Sequence, residues 1–319
     1  MPHHSSLPVA SVYELLRDYA SQPDPIRELI IGPVWTWCQT DKGIGLAMSP
    51  QTVLRTLSWP GTLCGRTVGE VAGWLSSWEP YAATVGMAAT NAALADLKPA
   101  PTGESLKPGT LWPPNLAVFE HFLPRIADKN VVVVGRYPGL EALATHCRLS
   151  VLERQVQGGD YPDPAAEFLL PEAEWVFLTA SSITNKTFPR LAELAASAQT
   201  VLMGPTVPWL PEWADYGIDY LAGVEVVEPL RLKQTISEGG GVRIFEGGVG
   251  YRVVNLTAEL QNEWLRQRIA EVYAEKQELT LSMERWYANH TRRFPEYERL
   301  DGANRRLSRL DTAFKRRVP

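Results

Sequence analysis

The segment NVVVVGRYPGL (residues 130–140) is the clearest indication of the fold in this sequence. Four consecutive valines before Gly135 are typical of a parallel strand, because a strand buried on both faces has no solvent side that would require polar residues. Further strands follow along the chain, and helical segments separate them. These strands are LSVLER (149–154), EWVFLTASS (174–182), QTVLMGPT (199–206), DYLAGVEVV (219–227) and YRVV (251–254). The alternation predicts an α/β fold with a doubly wound, Rossmann-like domain over residues 116–255.

The residues before this sheet predict a different kind of domain. Residues 28–50 (ELIIGPVWTWCQTDKGIGLAMSP) read as two strands around a turn at residues 40–43, and two helices follow. The second helix, within residues 81–97, is rich in alanine and is expected to be buried. This order indicates an α+β domain over residues 1–115, ending in a proline- and glycine-rich linker at 99–115.

The last part of the chain, residues 256–319, is predicted to be a helical extension. Its apolar residues recur in alternating steps of four and three from Leu265 to Trp286, interrupted by Lys276. Two heptads are short for a free-standing coiled coil, so we expect this seam to pack on the same chain or on a symmetry mate.

Composition and charge exclude several classes of protein. Residues 285–319 hold ten Lys or Arg against four Asp or Glu, which leaves a net charge of −11 on the rest of the chain. Such a body argues against nucleic-acid binding. The basic end is either a docking arm for a partner or the solvated face of helices. No apolar run is long enough to span a membrane, and no signal peptide is visible. Three cysteines without a CxxC spacing indicate a reducing compartment, so we expect a cytoplasmic protein.

Candidate binding residues follow the predicted strands, because ligands of open α/β sheets collect at the carboxyl ends of the strands. The first strand end lacks GxGxxG, which makes a standard NAD site unexpected, although Arg136 suits a phosphate or carboxylate. Glu153 is either a ribose-binding acid or a surface glutamate. Thr179, Ser181 and Asn185 are candidates for binding an anion, and Gly204 and Pro205 form a rigid turn at the same rim. The segment SEGGG, with Glu238, Gly239 and Gly240, is either a mobile lid or a tight strand-connecting turn.

Several motifs in succession resemble the putative heavy-metal chelation family. They are GPVWTWC, SWEPYAATVGMAATNAAL, VVVVGRYPGL, VLERQVQGGDYPDPAAEFLLPEAEWVFLTASSITNKT, VLMGPTVPWLPEW and GVEVVEPLRLKQTISEGGG, within residues 8–255. The resemblance implies an enolase N-terminal-like domain joined to a Rossmann-like domain, with a shared cleft. It adds Asn91 and Asp160 to the candidates above. The family often has His-Phe-Pro where this chain reads Arg136-Tyr137-Pro138, so one possible metal ligand is lost.

Two functions remain open at this point, and a third involves the extension. The first is metal handling: a divalent metal ion, or a metal–ligand complex, bound by Glu153, Asp160 and Glu238 between the domains of a homodimer. Scarce cysteine argues against thiolate chelation. The alternative is an enzyme acting on a small nucleotide-like or anionic metabolite, with Glu153 or Glu238 as acid/base. The third is an adaptor that contacts a partner through its C-terminal helices.

Overall fold

The structure is a computed structural model that describes residues 10–52, 56–59, 61–97, 99–107, 109, 111–256 and 258–315. Its strands are β1 (Glu28–Ile31), β2 (Trp35–Gln39), β3 (Ile44–Met48), β4 (Glu104–Ser105), β5 (Asn130–Val134), β6 (Arg148–Leu152), β7 (Trp175–Thr179), β8 (Gln199–Met203), β9 (Tyr220–Val226) and β10 (Val249–Asn255). Its α-helices are α1 (Ala10–Ala20), α2 (Val68–Ala72), α3 (Pro80–Leu94), α4 (Ala117–Ile126), α5 (Ala166–Leu169), α6 (Ser181–Thr184), α7 (Phe188–Leu194), α8 (Pro229–Ser237), α9 (Ala258–Asn289) and α10 (Tyr297–Lys315).

The larger sheet has seven strands in the order β4-β10-β9-β8-β7-β5-β6. The strands from β5 to β9 pair in parallel, whereas β10 and β4 join antiparallel at one edge. Among the parallel strands the chain order is 2-1-3-4-5, one of the two common doubly wound orders. The predicted α/β fold is therefore confirmed. The direction of strand addition reverses between β5 and β7, which is where such folds bind ligands.

The connections in this sheet are shorter than the sequence suggests. Residues 140–145 form a 3-10 helix rather than an α-helix, and α5 has only four residues. The segment expected to be a linker also contributes a strand, because β4 pairs with Arg252 and Val253 of β10. The proline and glycine residues around β4 predict a loop, so this two-residue strand was not expected from the sequence.

The N-terminal part is a three-stranded antiparallel sheet on which α3 packs, and α1 and α2 pack on α3. Two strands were predicted here, but Gly32 and Pro33 break the first into β1 and β2. The turn at 40–43 is confirmed by the hydrogen bond from the Thr40 N–H to the Gly43 carbonyl, 2.9 Å. Helix α3 is almost entirely buried, as its alanines predicted. Gly45 makes this packing possible, since a Cβ there would lie 2.1 Å from the Ala88 carbonyl oxygen. The likeness of this part to the enolase N-terminal domain stays a prediction.

The extension folds back as a hairpin of α9 and α10 against α1. Its seam packs on the same chain: Leu265, Val272 and Leu279 are buried, and Leu265 and Val272 share a cluster with Leu310 of α10. Trp264 is fully buried in the main core. No helix among the described residues is long and apolar enough to cross a membrane.

Several of the arginines near the C-terminus form ion pairs with other parts of the chain. Asp18 of α1, whose side chain is only 1% exposed, accepts hydrogen bonds from Arg305 and Arg309 of α10. The fully buried guanidinium of Arg306 pairs with Glu275 of α9 and lies 5.1 Å from the Tyr19 ring centroid. These arginines hold the extension to the body of the protein, so they are not a freely solvated face.

Candidate ligand-binding cleft

A cleft of about 1260 Å³ lies between the three-stranded sheet and the carboxyl ends of the parallel strands. One wall comes from the N-terminal part, including Met48, Ser49 and Thr84. The opposite wall is built from the residues that follow β5, β6, β7 and β8. The cleft therefore occupies the reversal point of the sheet, where an open α/β sheet leaves a crevice.

Two glycines shape the floor of this cleft. Gly135 and Gly204 have positive φ angles of 96° and 106°, a backbone conformation that favours glycine. A Cβ at Gly135 would lie 3.0 Å from the Thr179 Cγ2, and one at Gly204 would lie 3.6 Å from the Tyr137 hydroxyl. These turns let Tyr137 reach its hydrogen-bond partner Thr179. Burial raises the pKa of Tyr137, so its hydroxyl stays protonated.

A chain of hydroxyls lies at the end of β7. The side chains of Thr179 and Ser181 are hydrogen-bonded at 3.0 Å, and both line the cleft together with Gly204 and Pro205. Asn185 also lines the cleft, but its side-chain oxygen accepts hydrogen bonds from the Thr187 N–H and hydroxyl. The structure thus brings together the anion-binding set and the rigid turn that the sequence singled out.

Arg136 and Glu153 line the cleft, yet both are committed to neighbouring groups. The Arg136 guanidinium pairs with Asp160 at 2.6 Å and with Glu141. The Glu153 carboxylate accepts hydrogen bonds from the backbone N–H groups of Arg136 and Arg154, at 2.9 and 2.7 Å. Asp160 is absent from the cleft wall, because its carboxylate turns toward Arg136. These contacts join the loops after β5 and β6.

The remaining candidates lie outside the cleft wall. The Asn91 amide donates to the carbonyls of Leu46 and Thr206, which ties α3 to both walls. Glu238 ends α8 and accepts a hydrogen bond from Gln234. The N–H groups of Gly239 and Gly240 donate to carbonyls in the last turn of α8. SEGGG is therefore not a strand-connecting turn: it terminates a helix, and Gly239 supplies the left-handed residue common after helix ends. Its role as a lid stays a prediction.

The predicted metal ligands do not form a metal site. Among the residues that the structure describes, no three His, Cys, Asp or Glu side chains are grouped so that they could hold an ion. Glu153 and Asp160 both accept hydrogen bonds from Arg136, whereas Glu238 lies at the end of α8. Burial also raises the pKa of Cys38 to about 12 and that of Cys147 to about 11, so these thiols stay protonated and are poor ligands.

Lys186 differs from the other cations of the cleft, which are Arg136, Arg154, Arg190 and Arg243. Each of these arginines pairs with a carboxylate. Lys186 has no carboxylate partner among the described residues, and burial lowers its pKa to about 8. Its ammonium group donates to the carbonyls of Leu75 and Thr184 and lies 5.0 Å from the centroid of the Tyr13 ring, so its contacts within the protein are to neutral groups.

The backbone at Lys186 is also unusual. Its φ angle of 70° lies in the left-handed region, which costs a residue with a side chain about 1 kcal/mol. Such strain persists only where the surrounding structure imposes it, and it is common at functional sites. Sequence analysis missed Lys186 although it stands between Asn185 and Thr187; the signal was a lysine in the turn after a central strand.

Comparison with known proteins identifies the family. Two family models, both described as "Putative heavy-metal chelation", match residues 13–94 and 117–255. The chain belongs to this family. The matched segments end before α9, so neither includes the helical hairpin. No curated protein matches the chain.

Solved structures of the family share this fold. A protein of unknown function from Desulfitobacterium hafniense is 27% identical, with a TM-score of 0.65 over 77% of this chain and 98% of its own. A protein of unknown function from Pyrococcus horikoshii is 20% identical, with a TM-score of 0.62 over 78% of this chain and 100% of its own. Family membership supports a general role in metal handling.

Proposed function

We propose that the cleft binds a small organic anion. We further propose that this anion is a chelator carrying a metal ion, and that the protein takes part in metal handling by binding the chelator. The observation that carries this proposal is Lys186, a half-buried cation in the cleft wall whose charge no described carboxylate compensates. A half-buried cation that contacts only neutral groups is costly, and an anionic ligand would reduce that cost. The hydroxyls of Thr179 and Ser181 supply further hydrogen bonds.

The donor groups of the protein favour a chelate over a bare ion. A divalent ion needs four to six ligands at about 2.0–2.6 Å, and the described residues offer no cluster of three. The carboxylates Asp163 and Glu167, which line the cleft, are paired with Arg154 and Arg190. A volume of about 1260 Å³ is also far larger than an ion and suits an organic molecule. The chelator would therefore supply the metal's ligands, and the protein would bind the chelator.

Isothermal titration calorimetry tests this proposal with three probes: zinc ions, metal-free dipicolinate, and zinc carrying two dipicolinates, which is a dianion. We expect the zinc complex to bind with a Kd below about 1 mM and the bare ion not to reach that affinity. The titration is done with the full chain carrying His3→Ala and His4→Ala, because adjacent histidines bind zinc on their own. Tight, stoichiometric binding of bare zinc to this variant, without binding of the complex, would contradict the proposal.

A further inference from the structure

Trp78 lines the cleft and is 84% exposed. Its backbone is nevertheless held on both sides. The Ser77 N–H donates to the Trp74 carbonyl at 2.8 Å, and the Ser77 hydroxyl accepts from the Glu79 N–H at 3.1 Å. Glu79 in turn caps α3 by accepting from the N–H of Ala82. The exposure of this indole therefore arises in a well-anchored segment.

Single exposed apolar side chains are ordinary on a protein surface, so an exposed ring suggests a ligand contact only where it also lines a cleft. Phe168 is 78% exposed and Leu230 is 84% exposed, but neither belongs to the cleft wall. Trp78 alone among these three combines exposure with a place at the cleft. An exposed indole loses most solvent-exposed apolar surface when it stacks on a planar group, because one face of each ring is then buried against the other.

The rest of the cleft is also aromatic. Trp35 contributes from β2, and its indole N–H donates to the Gly241 carbonyl at 3.0 Å, which fixes its ring across the two walls. On the side of the larger sheet, Tyr137 follows β5, and Phe245 stacks on Tyr251 of β10 with ring centroids 4.7 Å apart. Aromatic residues thus line both walls of the cleft, and Lys186, which has no carboxylate partner among the described residues, lines the same cavity.

We propose that the ligand contains a planar aromatic ring, on which Trp78 stacks, and that its class is an aromatic or heteroaromatic carboxylate chelator rather than an aliphatic one. This inference rests on the proposed function, in which the cleft binds a chelating anion. A carboxylate beside the nitrogen of an aromatic ring meets both requirements: the carboxylate and the nitrogen together chelate a divalent ion, and the aromatic ring is planar and can stack. The charged edge faces the cation and hydroxyls, and the ring faces Trp78.

Two chelators with the same donor atoms separate ring from charge. Dipicolinate and iminodiacetate each supply two carboxylates and one nitrogen, and their two-to-one zinc complexes are both dianions. Calorimetry on the wild-type protein is expected to show the dipicolinate complex binding at least about tenfold more tightly, the effect of one aromatic stacking contact. Trp78→Ala should reduce this ratio to about one. Phe168→Ala is the matched control, since it removes an equally exposed ring outside the cleft wall and should leave the ratio unchanged.

The possible outcomes separate this inference from the proposed function. Equal binding of the two complexes to the wild type would overturn the inference and leave the proposed function standing. Failure of both complexes to bind would overturn both. Equal weakening of the two complexes by Trp78→Ala would assign a structural role to Trp78 and also overturn the inference. A change of oligomeric state of Trp78→Ala in analytical sedimentation, with an unchanged ratio of the two affinities, would also overturn the inference. Trp78 would then be a contact between copies of the chain. Partial recovery of the ratio by Trp78→Phe would support stacking.

Discussion

Replacing Lys186 with methionine is expected to weaken binding of the zinc bis-dipicolinate dianion by about 10- to 100-fold. A hydrogen bond to a charged group contributes about 1.5–3 kcal/mol, and methionine keeps the length of the chain without the charge. The measurement is calorimetry at about pH 7. The variant should unfold at a temperature no lower than the wild type, because burying the charge opposes folding below the pKa of about 8.

Lys129→Met provides the matched control. Lys129 lies just before β5, at the opposite end of the strand from the cleft, and pairs with Glu174 in an exposed ion pair. Its removal should change the free energy of unfolding by less than about 1 kcal/mol and leave the affinity unchanged. Equal affinities of the wild type and Lys186→Met for the dianion would contradict the assignment of Lys186.

The affinity of the wild type should also depend on pH. Because the pKa of Lys186 is about 8 without ligand, the protonated fraction falls roughly tenfold between about pH 7 and about pH 9. The dianion binds the protonated form, so its affinity should fall by a similar factor over this range. Stability has the opposite slope. In the unfolded chain this lysine has its ordinary pKa of 10.5. Between about pH 8 and pH 10.5 the unfolded chain therefore binds more protons than the folded protein, and the contribution of Lys186 to the free energy of unfolding becomes more favourable to the folded state as pH rises. In Lys186→Met the affinity should not change with pH in this range.

Deleting residues 257–319 is expected to destabilise the whole protein, with a loss of about 5 kcal/mol or more in the free energy of unfolding. The deletion removes Trp264 from the main core and uncovers Tyr19 on α1. It also removes both arginine partners of the buried Asp18 carboxylate. Thermal unfolding followed by circular dichroism measures the effect. A truncated protein that unfolds at the wild-type temperature would show instead that the hairpin is an independent arm.

A point substitution makes the same test without truncation. Asp18→Ala leaves the hairpin present and removes the acceptor for Arg305 and Arg309, with an expected cost of about 1–3 kcal/mol. Glu298→Ala is its control, since the Arg293–Glu298 pair is more than 60% exposed on both sides and should contribute little. The adaptor hypothesis and the homodimer remain predictions, because the packing of the seam within one chain says nothing about further partners.

The fold could be predicted from the sequence because its signals are local. Four valines before Gly135 can hardly be anything but a buried strand, and the later strands repeat that pattern. The break at Gly32 and Pro33 and the two residues of β4 were missed, since such short strands form only when a neighbour supplies the pairing. Long helices were easier: the seam from Leu265 to Leu279 predicted burial, and the structure shows what covers it.

The site was only partly predictable, because its geometry depends on contacts between distant residues. Thr179, Ser181 and Gly204, which follow strand ends, line one cleft, and their role in binding stays a prediction. Sequence alone could not show that Asp160 faces Arg136, nor that Glu238 closes a helix. Lys186 is a case that the sequence alone does not reveal. Its partner, the Thr184 carbonyl, is only two positions away in the sequence, but the lack of a carboxylate partner among the described residues is a property of the folded cleft.

A crystal of the protein with zinc bis-dipicolinate shows where the metal ion binds. Anomalous diffraction at the zinc edge locates the ion independently of the protein atoms. We expect a zinc peak inside the cleft, ligated by the chelator alone, with a chelator carboxylate within about 3.2 Å of the Lys186 ammonium nitrogen. A zinc ion bound by protein side chains such as Glu153 or Asp160, with Lys186 uncontacted, would contradict the proposed function.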